Sequence, residues 1–542
     1  MATTSTGTRN LVKTLENDMG KEDLVGFWKL AGDCSDYSGS GLHGINKGAV
    51  LDKYGALFDG REALIEVPHS SPLDFGSEDF TISISVHTEK ILDDLPGDIL
   101  CKYDTNTRNG INFSLLTNSG VTAAQANYRH LHFGMDAGID SGWIDCGRPG
   151  NNLRVYSLCV FEGDLYAGTF ETGANEMGHV YRYSGGTEWV DCGSPDKCNT
   201  IASLCVFEGA LYAGSSRYKA GGSALPDSEN LAPGGNMYRY EGGRKWAAIG
   251  NLQGADSCAG MAVYNGNLYA IPLYSQGIFR YDGDSTWTSV GTPGRRLMSL
   301  AVFNGSLYGA GNEGDKLGGV FRYEGGVEWS YAGGQENVTQ VYSFASHYGK
   351  LYVGTWPEGK VFRDDGEDPW TCVGRLGQEK EVMAMSVYNG KLYAGTLPLG
   401  EVYRYDGGTG WTNTGQLDKS VDVKYRRVWS MATFQGKLFA GTLPSGHVYG
   451  METGTNVTLD SELSPGWHNL GVVRSGNQLT LYVDGMQVSR SDSFNSHQVE
   501  ISNTSPLRIG SGTIDGFKGR IRDLRIHRRA LTGEEIADLH SE

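Results

Sequence analysis

The chain reads as an all-β protein in which a seven-bladed β-propeller interrupts a second, smaller β-domain. Three observations predict this. A four-strand unit recurs seven times between residues 143 and 451, the array begins and ends out of phase with its own unit, and the text flanking it on both sides is of one different kind. The composition agrees: 542 residues with 79 Gly, only 15 Pro and 11% aromatics describe a turn-rich β chain rather than a disordered one.

The clearest unit runs from Val387 to Trp411. Two alternating runs, strands a and b, meet at a tight turn. In four copies that turn is Asn-Gly or Glu-Gly followed by a short residue and Leu-Tyr, as at Asn265-Gly266. Such a pair between alternating runs predicts a type I′ hairpin, which needs φ > 0 at both central residues. A Gly-Gly pair, such as Gly325-Gly326, then separates strand c from a strand d that opens on Trp. Four-strand units of about 40–50 residues read as propeller blades. The Trp residues are Trp143, Trp189, Trp246, Trp287, Trp329, Trp370 and Trp411, spaced 46, 57, 41, 42, 41 and 41 apart. Strand 143–147 precedes any a–b–c set, and the last set, Trp429 to Tyr449, has no d strand after it. Closing the ring with strand 143–147 resolves both facts and removes open sheet edges.

The flanks carry Leu24-Val-Gly-Phe-Trp-Lys-Leu30, Asp36-Tyr-Ser-Gly-Ser-Gly-Leu-His-Gly44 and Phe80-Thr-Ile-Ser-Ile-Ser-Val86 before the array. After it come Leu479-Thr-Leu-Tyr-Val-Asp-Gly485 and Gly519-Arg-Ile-Arg-Asp-Leu-Arg-Ile526. These pieces resemble the opening and closing strands of a laminin-G-like, concanavalin-A-type jelly roll. The expected organisation is a tail at 1–20, a first jelly-roll part at 21–139, the propeller at 140–452 and a second jelly-roll part at 453–542. Insertion at a surface loop is inexpensive when the guest's termini are adjacent, as ring closure makes them. Thr532-Gly-Glu-Glu535 is a capping box that opens a short helix. The resemblance implies a structural Ca²⁺ joining the first and last strands, with Asp36 and Asp523 as candidate ligands. Simple turn-capping by Asp36 is the competing reading. No organic cofactor is implied.

The c–d turns partly resemble the Asp box of sialidases and related propellers. Asp406, Gly408 and Trp411 keep its spacing, and Glu241 and Glu324 replace the Asp in other units, but Arg404 stands where the box has Ser or Thr. The Asp box is structural, so the resemblance carries no catalytic residue across.

A net charge of −17 disfavours nucleic acid and anionic membrane surfaces as partners. No apolar run is long enough for a transmembrane helix, and the N-terminus lacks a signal-peptide core, which fits an intracellular protein or the mature form of a secreted one. Nine Cys occur without CxxC or Cys/His spacing. Cys146, Cys192 and Cys372 are placed alike in three d strands and Cys159 and Cys205 alike in two a strands, so they read as small buried hydrophobes.

Comparison among the units locates the site. The a–b and c–d turns are short and monotonous. The b–c and d–a connections, which share the other face, are elaborated at Phe170–Glu176, Ser215–Asn236, Asn312–Lys316 and Asp418–Arg427. Loops on a rigid scaffold are where sites lie. Strand a opens with two variable columns. The first holds Arg154, Thr200, Ser257, Arg296, Gln340, Glu381 and Arg427; the second holds Tyr156, Ala202, Ala259, Met298, Tyr342, Met383 and Trp429. They predict a polar and aromatic ring at the channel mouth. Arg clustered with Tyr and Trp suits an anionic sugar, because guanidinium pairs bidentately with carboxylate and rings stack on sugar faces.

The expected contacts are Arg154, Tyr156, Glu171, Arg296, Tyr342, Trp356, Glu381 and Trp429. A polysaccharide lyase acting by β-elimination would use Tyr218, Arg217 and Arg427. A non-catalytic lectin, a protein-interaction scaffold contacted through Leu397-Pro-Leu399, and a glycoside hydrolase using Glu171, Glu176 or Glu381 are the alternatives.

Overall fold

The computed structural model describes residues 23–118, 124–220, 225–313, 318–335 and 337–539. The expected tail at 1–20 lies outside them, as do 221–224 and 314–317 in two of the elaborated loops.

The a–b turns form as their sequences dictate. All seven pairs have positive φ at both positions, from Glu162 (48°) and Gly163 (84°) to Asn389 (42°) and Gly390 (85°). Tyr348-Gly349 and Gln435-Gly436 adopt the same conformation without Asn or Glu. Strand Ile144–Asp145 pairs with Val448–Met451, Ile144 opposite Gly450, so the first strand of the array completes the last unit as expected.

The repeats predict seven separate sheets; the structure has five four-stranded ones. The first and second units share one eight-stranded sheet through the pair Phe170–Thr200. The cause is local: Glu171 N–H donates to Asn199 O at 2.9 Å, drawing the end of one unit's strand b against the start of the next unit's strand a.

The repeated Trp ties neighbouring sheets. Five of the indole N–H groups donate to a carbonyl at the outer edge of the preceding unit, Trp189 to Cys146, Trp246 to Cys192, Trp287 to Ile249 and Trp411 to Val373 at 2.9 Å and Trp329 to Val290 at 3.0 Å, while Trp143 donates to Thr414 Oγ1 at 3.2 Å. The acids of the c–d turns are held by the Arg two residues earlier, for example Arg363 on Asp365 and Arg404 on Asp406. That pairing explains why Arg occupies the position an Asp box gives to Ser or Thr. Every Cys is a free thiol. Cys146, Cys159, Cys192 and Cys205 are buried as expected, but Cys372 is exposed. It stands two residues after its Trp where the others stand three, and one step along a strand turns a side chain to the other face.

The sandwich has two sheets, each drawing strands from both flanks. Phe80–Thr88 lies between Gly466–Ser475 and Lys518–His527, and Asn127–Asp140 pairs with Thr453–Thr458. Trp28, Phe58, Phe80, Phe113, Phe133 and Phe517 are buried between the sheets. The capping box forms: Thr532 N–H donates to Glu535 Oε2 and Glu535 N–H to Thr532 Oγ1, opening the helix Gly533–Leu539. No helix among the described residues is long and apolar enough to cross a membrane.

The monotonous a–b turns are where the sandwich docks. Asn265 N–H donates to Leu92 O, Tyr348 N–H to Thr513 O, Gly163 N–H to Asp460 O and Gln435 N–H to an Asp460 carboxylate oxygen. The buried segment Ala124–Asn127 enters the ring beneath the inner strands. Gln125 N–H donates to Leu204 O, Val160 N–H to Ala126 O, and the Asn127 amide both accepts from Thr433 N–H and donates to Thr433 O. With Val263 N–H donating to Gln125 Oε1 at 3.2 Å, this segment engages inner strands of four different units, and the docked sandwich leaves the opposite face open.

Buried carboxyls at this interface tie its strength to pH. Burial pushes Asp98 up to about 7, Asp515 up to about 8 and Asp460 up to about 6. Each binds its proton more tightly folded than unfolded, so its contribution is greatest near and below pH 4 and is lost as pH rises through 6–8. The thermal midpoint is therefore expected to fall between pH 5.5 and pH 8.5, with a flatter slope in Asp98→Asn; an equally steep fall in that variant would contradict the assignment.

Candidate functional site

The open mouth of the ring is shaped by β-bulges. Six inner strands shift register at or beside the second variable column, between Val155 and Ser157, Ile201 and Ser203, Leu297 and Leu300, Val341 and Ser343, Val382 and Met385, and Val428 and Ser430. A bulge leaves one residue out of the ladder and re-aims its side chain. Tyr156, Met298, Tyr342 and Trp429 thereby line one cavity of about 310 Å³, together with Arg296, Gln340, Glu381 and Arg427 of the first column. The b–c and d–a connections add Tyr218, Lys219, Leu273, Tyr274, Asn312 and Tyr425, and the end of the strand Lys350–Trp356 adds Trp356.

The aromatic wall is edge-to-face packed. The Tyr156 ring lies 5.7 Å from Tyr218 and 5.3 Å from Trp429, and Tyr218 lies 5.0 Å from Phe170. Asn199 holds the Tyr218 backbone, accepting from its N–H at 2.8 Å and donating to its O at 3.0 Å. Arg427 and Glu381 are buried with Nε and Oε1 3.9 Å apart, a charge contact without a hydrogen bond. Burial raises the Glu381 carboxyl, and Arg427 opposes that rise. The Tyr342 hydroxyl donates to Gln340 Oε1. Burial pushes the Tyr156 hydroxyl up to about 12 and raises that of Tyr342 further. Arg296 spends its donors inside the protein, on Asn312 O at 2.6 Å, on Leu273 O at 3.0 Å and on Asn312 Oδ1.

Eight of the expected site residues thus meet at one cavity: Tyr218, Arg427, Tyr156, Arg296, Tyr342, Trp356, Glu381 and Trp429. Three do not line it. Arg154 lies beneath the aromatic floor, fully buried, because Tyr156 and Trp429 close over it. Glu171 is turned into the junction of the first and second units' loops, where burial and then Glu176 push it up to about 8. Arg217 lies outside the lining, its backbone N–H donating to Asp256 O at 2.9 Å. Tyr425 lies in a stretch whose elaboration marks it. Tyr274 sits in a short connection with no such signal and accepts a hydrogen bond from Lys219 N–H at 2.8 Å.

Of the two candidate calcium ligands, Asp36 takes the turn-capping role in the structure. Asp36 Oδ1 accepts from Phe27 and Ser38 N–H and Oδ2 from Leu42 N–H, so its oxygens cap a turn. Burial would raise this carboxyl, yet those three donors hold it below the usual range. Asp523 makes a 3.5 Å contact with Arg522. Among the described residues, no group of three or more His, Cys, Asp or Glu could hold a metal ion.

A family model, the concanavalin A-like lectin/glucanases superfamily, matches residues 429–537. The match begins within the inner strand Arg427–Phe434, ahead of the first late sandwich strand at Thr453. No curated protein matches the sequence. Among solved structures, a streptogramin B lyase is similar at 12% identity and a TM-score of 0.44, over 57% of this chain and 97% of that one. A catalytically inactive virginiamycin B lyase from Staphylococcus aureus, with quinupristin, is similar at 11% identity and 0.42, over 58% and 99%. The WD40 propeller domain of Doa1 is similar at 10% and 0.40, over 57% and 97%. The chain is all-β, with a β-propeller and a concanavalin A-like domain, an architecture suited to a binding or scaffold role.

Proposed function

We propose that the open mouth of the propeller binds an anionic, uronate-type sugar and does so as a lectin rather than a lyase. The observation that carries this reading is the cavity itself, where Tyr342, Trp356 and Trp429 offer stacking faces beside the Arg427 guanidinium. Lys219 adds a half-exposed cation at the rim, 3.8 Å from Asp256. Tyr218, the residue a lyase would use as its base, is buried in the wall instead, its ring packed edge-to-face against Tyr156 and Phe170 and its backbone held by Asn199, which disfavours elimination. In this reading the fused sheet counts as two blades of a seven-bladed ring. The propeller at 140–452 is a guest in a loop of the jelly roll, which holds the ring from the closed side.

Titration calorimetry with a glucuronate-terminated oligosaccharide and its glucose-terminated counterpart tests the proposal. A charge-assisted contact is worth roughly 1.5–3 kcal/mol, so the acidic sugar is expected to bind roughly 10- to 100-fold more tightly. Incubation is expected to generate no unsaturated uronate absorbance. Equal affinity for the two sugars, or no binding of either, would overturn the reading.

A further inference from the structure

Beneath the cavity floor, Arg154 is fully buried and stacked. Its Cζ lies 3.4 Å from the Trp429 ring centroid and 3.7 Å from that of Tyr156, with Tyr218 at 4.7 Å. Stacking engages the faces of a guanidinium and leaves its in-plane N–H edge to be satisfied separately. Yet Nε, Nη1 and Nη2 have no hydrogen-bond partner among the described residues. Arg296 in the same column has carbonyl acceptors for all three nitrogens, and the equally buried Arg474 places its Nη atoms on Gly76, Ser496 and Val499 carbonyls.

The charge balance points the same way. Arg154, Arg296 and Arg427 all act on the Tyr156 hydroxyl, while Glu381 is the carboxylate that Arg427 and Arg154 stabilise. Two buried cations, Arg154 and Arg427, with the partly buried Arg296 beside them, therefore face one acid, and Arg296 is solvated only by neutral oxygens. A buried unpaired charge is strongly unfavourable until a counter-charge joins it. Arg154 does not line the cavity, so a sugar carboxylate seated above does not reach its N–H edge past Tyr156 and Trp429.

We propose that the inner channel holds a small monovalent inorganic anion of the halide type against the in-plane edge of Arg154, beneath the aromatic floor. The site is separate from the sugar site and requires no sugar.

Crystals of the full chain soaked in sodium bromide, measured at the bromine edge, are expected to show an anomalous peak within hydrogen-bond distance of the Arg154 guanidinium. In solution, replacing sodium methanesulfonate by sodium bromide at constant ionic strength is expected to raise the melting midpoint of the wild type. Arg154→Gln is expected to lose that shift, and Arg154→Lys, which keeps the charge, to retain part of it. Absence of a bromide peak at Arg154 overturns the proposal, as does an undiminished bromide-dependent shift in Arg154→Gln. If Arg154→Gln does not fold, the wild-type crystal decides. Uronate binding measured at fixed halide separates the two sites: a missing bromide peak with sugar binding intact defeats this proposal alone.

Discussion

Glu381→Gln is expected to destabilise the protein by about 3 kcal/mol, more than Arg427→Gln does. The two side chains form a buried pair at 3.9 Å without a hydrogen bond between them. Removing one partner of a buried pair strands the other, at a cost of roughly 3–5 kcal/mol, while the intact pair contributes little net stability. The asymmetry follows from the surroundings. Arg154 and Arg296 remain after either change, so losing the acid leaves three clustered cations, whereas losing Arg427 relieves repulsion. Glutamine keeps the volume of glutamate, so no cavity term enters at Glu381, whereas the shorter side chain in Arg427→Gln adds one that narrows the difference. Urea denaturation of the two variants measures the difference, and a larger loss in Arg427→Gln would show that the cluster is not net positive.

Asn127→Ala is expected to cost about 2–4 kcal/mol, although the residue lies far from the mouth. Its amide accepts from Thr433 N–H at 3.0 Å and donates to Thr433 O at 2.8 Å, inside a contact from which water is excluded. Truncation strands both backbone groups, at roughly 1–3 kcal/mol each. The same donor also meets His130 Nδ1 at 3.0 Å. Because Thr433 belongs to the inner strand of the last unit, the change loosens the ring where it closes. Limited proteolysis is expected to cut the last unit faster in this variant than in wild type. Unchanged stability would mean that Ala124–Asn127 rests against the ring without holding it.

The unit was legible because its constraints are local. Positive φ at the a–b turns demands Gly at the second position, period-two alternation marks the strands, and the outer-edge Trp repeats because in five units its indole makes the same tie to the neighbouring sheet. The mouth was legible through the two variable columns, since bulges re-aim that part of the inner strand in almost every unit. What was not legible depends on distant partners. The a–b turns read as plain scaffold, yet they carry the docking contacts, because the sandwich that meets them lies elsewhere in the chain. Arg154 reads as a mouth residue until the rings of Tyr156 and Trp429 are seen to cover it. Asp36 resembles a metal ligand in text, but backbone N–H groups from Phe27 and Leu42 claim its oxygens. Cys372 shows how little sequence separates the two outcomes, since one residue of offset turned it outward.

The most direct test of the central claim is a crystal structure of the full chain soaked with glucuronate. The expected result is a sugar ring stacked on the mouth aromatics beside Trp356 or Tyr342, with its carboxylate at Arg427. Glucuronate bound on the sandwich instead, with the mouth cavity filled by water alone, would contradict it.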